Sequence, residues 1–362
     1  MSAYGMITEA FRREWLLVAA ILGLAMSSFF LNRLPALSHT ELDVLGLLWL
    51  LFAVVRGLEE TGLLAAVAVR LEQGQFLAAR LVLLTFAMAA VATNDAALAV
   101  IVPLTLKLDT PGRGWLVILE ALAANAGSAL TPFGNPQNIY VFWHYGLTLS
   151  RFVTVIAPFS LFSLALILLM AWLAPVRPAV PSGERAPAVS RKACLFGGLF
   201  GVTILVILRI APLGAGLAAA LATAAARRSL RVDYVLLLTF AVFFALSGNI
   251  QAMIGRELAH EAHSFLLPAM SSQIMSNVPA AMVFSHFTKD WQALLWGVNA
   301  GGYGTLIASF ANLIAWRHSM AAQPDGRMRR AFTIRFVASG FVMLAASAIF
   351  YWLWRTWVLW PY

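Results

Sequence analysis

Two stretches of this 362-residue chain place asparagine, glycine and threonine at matching intervals inside otherwise apolar sequence. The first reads NAGSALTPFGNPQN from Asn125 to Asn138, and the second reads NAGGYGTLIASFAN from Asn299 to Asn312. Aligned without gaps, they agree at five of fourteen positions: the Asn-Ala-Gly start, Thr131 with Thr305, and Asn138 with Asn312. Each follows a polar tip between apolar arms, Thr93-Asn94-Asp95 in one half and Ser276-Asn277-Val278-Pro279 in the other. A weaker third pair sets Phe52 before Gly57 and Phe243 before Gly248. Gly, Ala and Asn are common in membrane loops, but the repeated order of tip and then Asn-Gly segment argues for duplication.

These residue types suit solute and ion binding inside a membrane. Gly127, Pro132, Gly134 and Pro136 interrupt a helix through the first stretch, and Gly301, Gly302 and Gly304 interrupt the second. A broken helix frees carbonyls at the end of one piece and N–H groups at the start of the next. The carbonyls, with Asn and Thr oxygens, can replace the hydration shell of Na⁺, and the N–H groups can hold an anion. Neutral Asn, Ser and Thr do this at lower desolvation cost than full charges. The candidate solute- and ion-binding residues are Thr93, Asn94, Asp95, Asn125, Gly127, Thr131, Gly134, Asn135 and Asn138 in the first half. In the second half they are Ser276, Asn277, Asn299, Gly301, Gly302, Thr305 and Asn312. Taken singly, each asparagine could equally be a helix–helix hydrogen bond worth about 1 kcal/mol.

Asp95 is the one acid on either tip. Held away from water, a carboxyl favours its protonated form, which suits it to exchange a proton or offset a cation. The competing role is the N-cap of a helix over 95–107. Glu59-Glu60 after Arg56 reads as a local ion pair at a membrane interface, and Glu120 as a partner between helices. His144, His260, His263, His286 and His318 lack metal-ligand spacing and read as interfacial residues. No metal or cofactor is expected beyond Na⁺ or H⁺ as coupling ion. Paired acids or a nucleophile–base pair are not evident, so an enzyme is not expected. A channel fits the composition but has no need of two half-helix sites.

The elements that must position these residues are membrane helices. Hydrophobic residues make up 61% of the chain, charged residues 11%, and the mean hydropathy is +0.82. A soluble domain of this length needs more charge to cover its surface, so the lipid bilayer is the solvent. At about 20 apolar residues per crossing, the chain holds around ten spans. The 25 Lys and Arg exceed the 16 Asp and Glu, yet they sit in short loops as topology determinants rather than in a nucleic-acid-binding patch. Cys194 is the only cysteine, which excludes intramolecular disulfides and cysteine clusters, and its apolar context suggests packing. Trp352, Trp354, Trp357 and Trp360 fit an aromatic belt.

Helices are expected over about 14–31, 42–56, 62–72, 78–92, 95–107, 114–131, 137–147 and 151–174, and then over 193–209, 211–226, 232–247, 265–276, 277–288, 291–305, 306–316 and 330–357. The pieces flanking each tip are too short to cross alone and read as re-entrant hairpins. The chain divides into an N-terminal helix and connector (1–40), a first repeat (41–174), a Pro-rich linker (175–192), a second repeat core (193–326) and a C-terminal helix (327–362). Arg12-Arg13 before the first apolar run place the N-terminus in the cytoplasm, as do the clusters Arg227, Arg228, Arg231 and Arg327, Arg329, Arg330 for their loops.

At TNDAALAVIVPLTL (93–106), NAGSALTPFGNPQNI (125–139), SQIMSNVPAAMV (272–283) and NAGGYGTLIASFANLIA (299–315) the chain resembles the ion transporter superfamily. That superfamily includes citrate-transporter-like permeases, divalent-anion/sodium symporters, sodium/proton antiporters and arsenite-pump membrane subunits. The resemblance covers about residues 40–350 and is closest to a small bacterial branch of transporters. It implies an all-α polytopic inner-membrane protein with two inverted repeats, each with a re-entrant hairpin and a broken helix. It also implies a secondary transporter of a small anion or oxyanion, coupled to H⁺ or Na⁺ by symport or antiport, with the site between tips and broken helices. Members commonly form dimers and move by an elevator-like motion. The symporter tips read Ser-Asn-Thr, whereas these read Thr-Asn-Asp and Ser-Asn-Val. Asp95 is more like the arsenite-pump tip, which keeps metalloid or Na⁺/H⁺ antiport open as an alternative.

Overall fold

The computed structural model describes residues 15–71, 76–176, 188–226, 232–258, 264–323 and 325–357. Arg12-Arg13, the linker centre at 177–187, the Arg227–Arg231 loop, His260, His263 and Trp360 lie outside the described residues. Among those described there are sixteen α-helices and no strand. In the first half they are α1 (Trp15–Leu31), α2 (His39–Glu60), α3 (Leu63–Leu71), α4 (Leu77–Val91), α5 (Asn94–Lys107), α6 (Arg113–Ala129), α7 (Pro136–His144) and α8 (Leu149–Leu173). The second half holds α9 (Ala193–Ile207), α10 (Leu213–Ala226), α11 (Tyr234–Leu258), α12 (Leu266–Met275), α13 (Asn277–Ser285), α14 (Trp291–Gly301), α15 (Phe310–Ala322) and α16 (Gly326–Trp357).

The chain is a polytopic membrane protein. Within Leu149–Leu173, Tyr234–Met253 and Gly326–Trp357 the chain is helical, apolar and long enough to cross a bilayer unaided. Their outer faces carry exposed Leu161, Trp172, Ile334 and Ile349, which lipid covers at no cost and water would not. Cys194 lies exposed on α9 and outside the packed interior.

The short helices form two hairpins and two interrupted helices. α4 and α5 meet at Thr93, and α12 and α13 meet at Ser276. α6 and α7 are separated by residues 130–135, and α14 and α15 by residues 302–309. Each hairpin is fastened to the break beside it by the same two bonds. The Asn94 amide N–H donates to the Gly134 carbonyl (3.1 Å), and the Asn277 N–H to the Ala308 carbonyl (2.9 Å). The Thr131 hydroxyl donates to the Ala90 carbonyl (2.8 Å), and the Thr305 hydroxyl to the Gln273 carbonyl (2.9 Å). The break residues of the second unit lie 174 positions beyond their counterparts (305 less 131, 308 less 134) and the hairpin residues 183 (277 less 94, 273 less 90). One constant shift inside each element means the two units are built alike down to single bonds.

Backbone contact makes these joints tight. A Cβ on Gly127 would lie 2.1 Å from the Phe86 carbonyl oxygen, and one on Gly301 would lie 2.6 Å from Ser272 Oγ and 3.0 Å from Ala269 Cα. Phe86 and Ala269 again differ by 183. Gly127 therefore does not interrupt a helix, as its residue type had suggested. It sits inside α6 and lets the hairpin arm α4 approach backbone to backbone.

Other differences are at element ends. α11 continues through Asn249 instead of stopping at 247, because Asn249 is satisfied: its amide donates to Ser27 Oγ and Ser28 Oγ (2.9 and 3.0 Å), while Arg33 Nε donates to its oxygen (2.8 Å). Those bonds hold α1 to α11. α14 ends at Gly301 and α15 starts at Phe310, so the second break is longer than the residue pattern suggested. Gly304, at φ +86, turns the chain within that break, the interruption its residue type suggested.

Candidate functional site

The asparagines of the two interrupted helices bond to one another. Asn125 Nδ2 donates to Asn312 Oδ1 (2.8 Å), and Asn299 Nδ2 donates to Asn138 Oδ1 (2.9 Å). Each donor amide also reaches one turn back along its own helix, to the Ala121 carbonyl (3.2 Å) and to the Leu295 carbonyl (2.8 Å) respectively. The Asn138 amide then caps the carbonyls that the break leaves over, donating to those of Ser128, Ala129 and Thr131 at 3.1–3.2 Å. Asn312 does the same for the Gly302 and Thr305 carbonyls (2.9 and 3.1 Å). Asn135 adds a bond to Ser128 Oγ (3.1 Å) and a longer one to Asn299 Oδ1 (3.4 Å). These asparagines are nearly inaccessible, with Asn138 at 0% and Asn125 at 5% exposed. Buried carbonyls without partners cost about 1–3 kcal/mol each, so the network removes the main penalty of breaking two helices inside the protein.

Polar side chains not used in that way line two cavities, one at each tip. The first is bounded by Thr93, Asp95, Arg56, Glu59, Asp233 and Phe310, among others. Asp95 is not the N-cap of α5; Thr93 is, its Oγ1 accepting from Ala96 N–H (3.2 Å). Asp95 Oδ1 is buried without a hydrogen-bond partner among the described residues. Arg56 and Glu59, which also line this cavity, pair at 2.7 Å, as their spacing suggested. The second cavity is bounded by Ser276, Pro279, Ser309, Phe310, Leu313 and Arg317, with Trp15 and Phe240 on its far wall. Asp233, Leu236 and Phe310 border both.

The site residues expected from sequence thus fall into three groups. Thr93, Asp95 and Ser276 face the cavities. Asn125, Asn135, Asn138, Asn299, Asn312, Thr131, Thr305, Gly134 and Gly302 fasten the interrupted helices, while Gly127 and Gly301 set the close approach. Asn94 and Asn277 begin α5 and α13, and Asn94 Oδ1 accepts from Asp95 N–H (2.9 Å). Residues that the sequence did not single out include Asp233, Phe310, Arg317 and Ser309. A signal for Ser309 was present: it aligns with Asn135 in the gapless match. Phe310, Leu313 and Arg317 stand at i, i+3 and i+7, one face of α15.

Elsewhere, Glu120 is fully buried and accepts from the Thr105 hydroxyl at 2.5 Å, the interhelical role its position suggested. His144 and His286 meet ring to ring (centroids 5.4 Å apart), with His286 Nε2 3.9 Å from Glu41. Among the described residues no three His, Cys, Asp or Glu side chains are placed to hold a metal ion.

Comparison with known proteins gives a consistent outcome. Residues 5–297 match the model of a family described as citrate transporter. An uncharacterised transporter of Methanocaldococcus jannaschii is 30% identical over 341 residues, covering 89% of this chain and 93% of that protein. The inner membrane protein YbiR of Escherichia coli is 36% identical over 244 residues, 62% of this chain and 64% of its own. A silicon efflux transporter of Oryza sativa subsp. japonica, LSI3, is 29% identical over 161 residues, 42% of this chain and 33% of its own.

Proposed function

The chain belongs to the citrate transporter family, and from that premise we propose that it is a secondary active transporter of a small anion or oxyanion in the inner membrane, driven by H⁺ or Na⁺. The observation that carries this reading is the pairing of two interrupted helices, mutually bonded through Asn125–Asn312 and Asn299–Asn138, with two hairpin tips that each border a cavity. Interrupted helices in corresponding places of two repeats are where transporters place solute and ions. Contacts at the ends of the units are reciprocal, each interrupted helix packing on the other unit's hairpin, as α7 does on α13. The Tyr145 hydroxyl, just beyond α7, donates to the Ser285 and Thr288 carbonyls at the base of the second hairpin, and α15 packs in turn on the first hairpin arm α5. Solute and ion would then sit between the tips, reachable from either face in turn. The relative from Escherichia coli supports inner-membrane residence.

Asp95 is the proposed coupling group, an acid at a membrane-depth tip with an uncommitted carboxyl oxygen. The test is reconstitution of the full chain, with proton and Na⁺ fluxes followed alongside a panel of anions and metalloids, for wild type and Asp95→Asn. The expected result is uphill solute movement driven by one ion gradient, abolished in Asp95→Asn while downhill exchange continues. Intact coupling in Asp95→Asn would remove Asp95 from the mechanism, and no uphill movement under any gradient would remove secondary transport.

A second reading is metalloid antiport. It is favoured by the acidic first tip and by the relative named as a silicon efflux transporter. In the same panel it is supported by proton release coupled to metalloid movement without any anion being carried.

A further inference from the structure

The two tips are fastened alike but finished differently. In the first unit both helix starts are closed by their own side chains: Thr93 Oγ1 accepts from Ala96 N–H, and Asn135 Oδ1 from Asn138 N–H (3.1 Å). In the second unit neither start has a side-chain cap, although Ser276 and Ser309 occupy the matching positions. At α13 the Asn277 N–H is taken by the Ala308 carbonyl and Pro279 has no N–H, so the open start is that of α15. Ser276 is held at φ 74 and ψ 154, a region that side chains other than glycine rarely visit. Ser309 is only 2% exposed and lines the second cavity; its carbonyl accepts from Leu313 N–H, but its hydroxyl makes no hydrogen bond among the described residues.

An uncapped start leaves the first-turn N–H groups unpaired, and the helix dipole adds a partial positive charge there. α15 directs such a start into the second cavity, and the start of α13 borders it through Ser276 and Pro279. The same wall carries Arg317, exposed two turns further along α15 on the face shared by Phe310 and Leu313. The first cavity has the opposite character. Its one cation, Arg56, is paired with Glu59, and Asp95 faces it. Phe310 and Leu236 stand between the two.

We propose that the two tips divide the work: the second-tip cavity receives the solute, a small monovalent anion with an apolar body, and the first-tip cavity serves the coupling cation through Asp95. This rests on the transport reading above and names the solute class. The anion is drawn in by Arg317 and seats its charge at the open start of α15, beside Ser309 and facing Ser276. Ile274, Ile307 and Leu313 accept the apolar body. A di- or trivalent anion is disfavoured because Asp233 on the shared wall offsets the single arginine.

The experiment uses the reconstituted full chain with benzoate, sulfate and citrate as probes under the driving ion gradient. The variants are Ser309→Asn, which installs the cap found at Asn135, Arg317→Gln and Asp95→Asn. Saturable uptake of benzoate in preference to sulfate and citrate is expected. Ser309→Asn and Arg317→Gln should each raise the benzoate KM about tenfold, a loss of about 1.4 kcal/mol of binding, and leave the half-saturating coupling-ion concentration unchanged. Asp95→Asn should abolish accumulation with the KM kept. Preference for citrate or sulfate overturns the solute class. An unchanged KM in both binding variants, or a shift in coupling-ion dependence instead, overturns the division while leaving transport intact. Arg317 is exposed, so Arg317→Gln decides the matter if Ser309→Asn fails to fold. Absence of any driven solute movement defeats the transport reading and this inference together.

Discussion

The amide of Asn125 lies 2.8 Å from the side-chain oxygen of Asn312, a residue 187 positions away and at the opposite end of the matching segment in the other unit. Its mirror is the bond from Asn299 to Asn138. Asn125 and Asn299 thus bond both their own helix and the asparagine that caps the other unit's break, which ties the two units together.

Asn125→Ala and Asn312→Ala should each lower the stability of the full chain, by about 1–3 kcal/mol for groups left buried and unpaired. The double variant should cost less than the sum. A double-mutant cycle on thermal unfolding in lipid nanodiscs checks this. Additive losses would show that the bond is not an energetic link between units.

Gly127→Ala puts a methyl group 2.1 Å from the Phe86 carbonyl oxygen, and backbone cannot step aside cheaply. Overpacking of this kind costs about 1–3 kcal/mol or more. Gly197→Ala, inside α9 where a Cβ meets nothing within 4 Å, should keep or raise stability, by about 0.5–1 kcal/mol from helix propensity. Comparing the two by fluorescence-detected size exclusion after heating separates the close approach from a general effect of replacing glycine in a helix.

Thr93→Ala removes the cap of α5 and should cost about 1 kcal/mol, while Thr93→Ser retains most of it. Hydrogen exchange at Asn94–Ala97 reports the loosened tip directly. Equal protection in Thr93→Ala and wild type would mean that neighbouring packing, and not the cap, orders the tip.

Arg33 donates to Asn249 Oδ1 and to the Gly248 carbonyl (2.8 and 2.7 Å). Arg33→Ala should loosen α1 from α11 and cost about 1.5–3 kcal/mol, the range for bonds to a charged group. The exposed pair Arg56–Glu59 is a control, since removing it with Arg56→Gln should change stability by no more than about 1 kcal/mol. Thermal melts of both variants at one lipid composition make the comparison.

Much of the helical plan was legible because apolar runs punctuated by Gly, Pro and charge mark helix ends. Pro136 at the start of α7 and Thr93-Asn94 at the first tip are cases in point. The matching segments were legible from residue identity alone. What their asparagines do was not. A side-chain amide at membrane depth can bind an ion or cap a carbonyl, and only the position of Asn138 beside three orphan carbonyls decides for capping. Arg317 and Asp233 were missed for a different reason: as charges near helix ends they look like interface residues until the fold sets them on cavity walls. Ser309 was hidden because what distinguishes it is a bond it does not make.

Gly127 and Gly301 bring each hairpin into backbone contact with the interrupted helix beside it. Such a joint has almost no compressible layer of side chains, only the small Ser272 at Gly301, so it offers no shear plane. Any rearrangement of this fold that keeps these joints must move tip and interrupted helix as one block. The sliding surface then lies where side chains meet instead: between α11 and α13, and where the Tyr140 ring rests on Phe244.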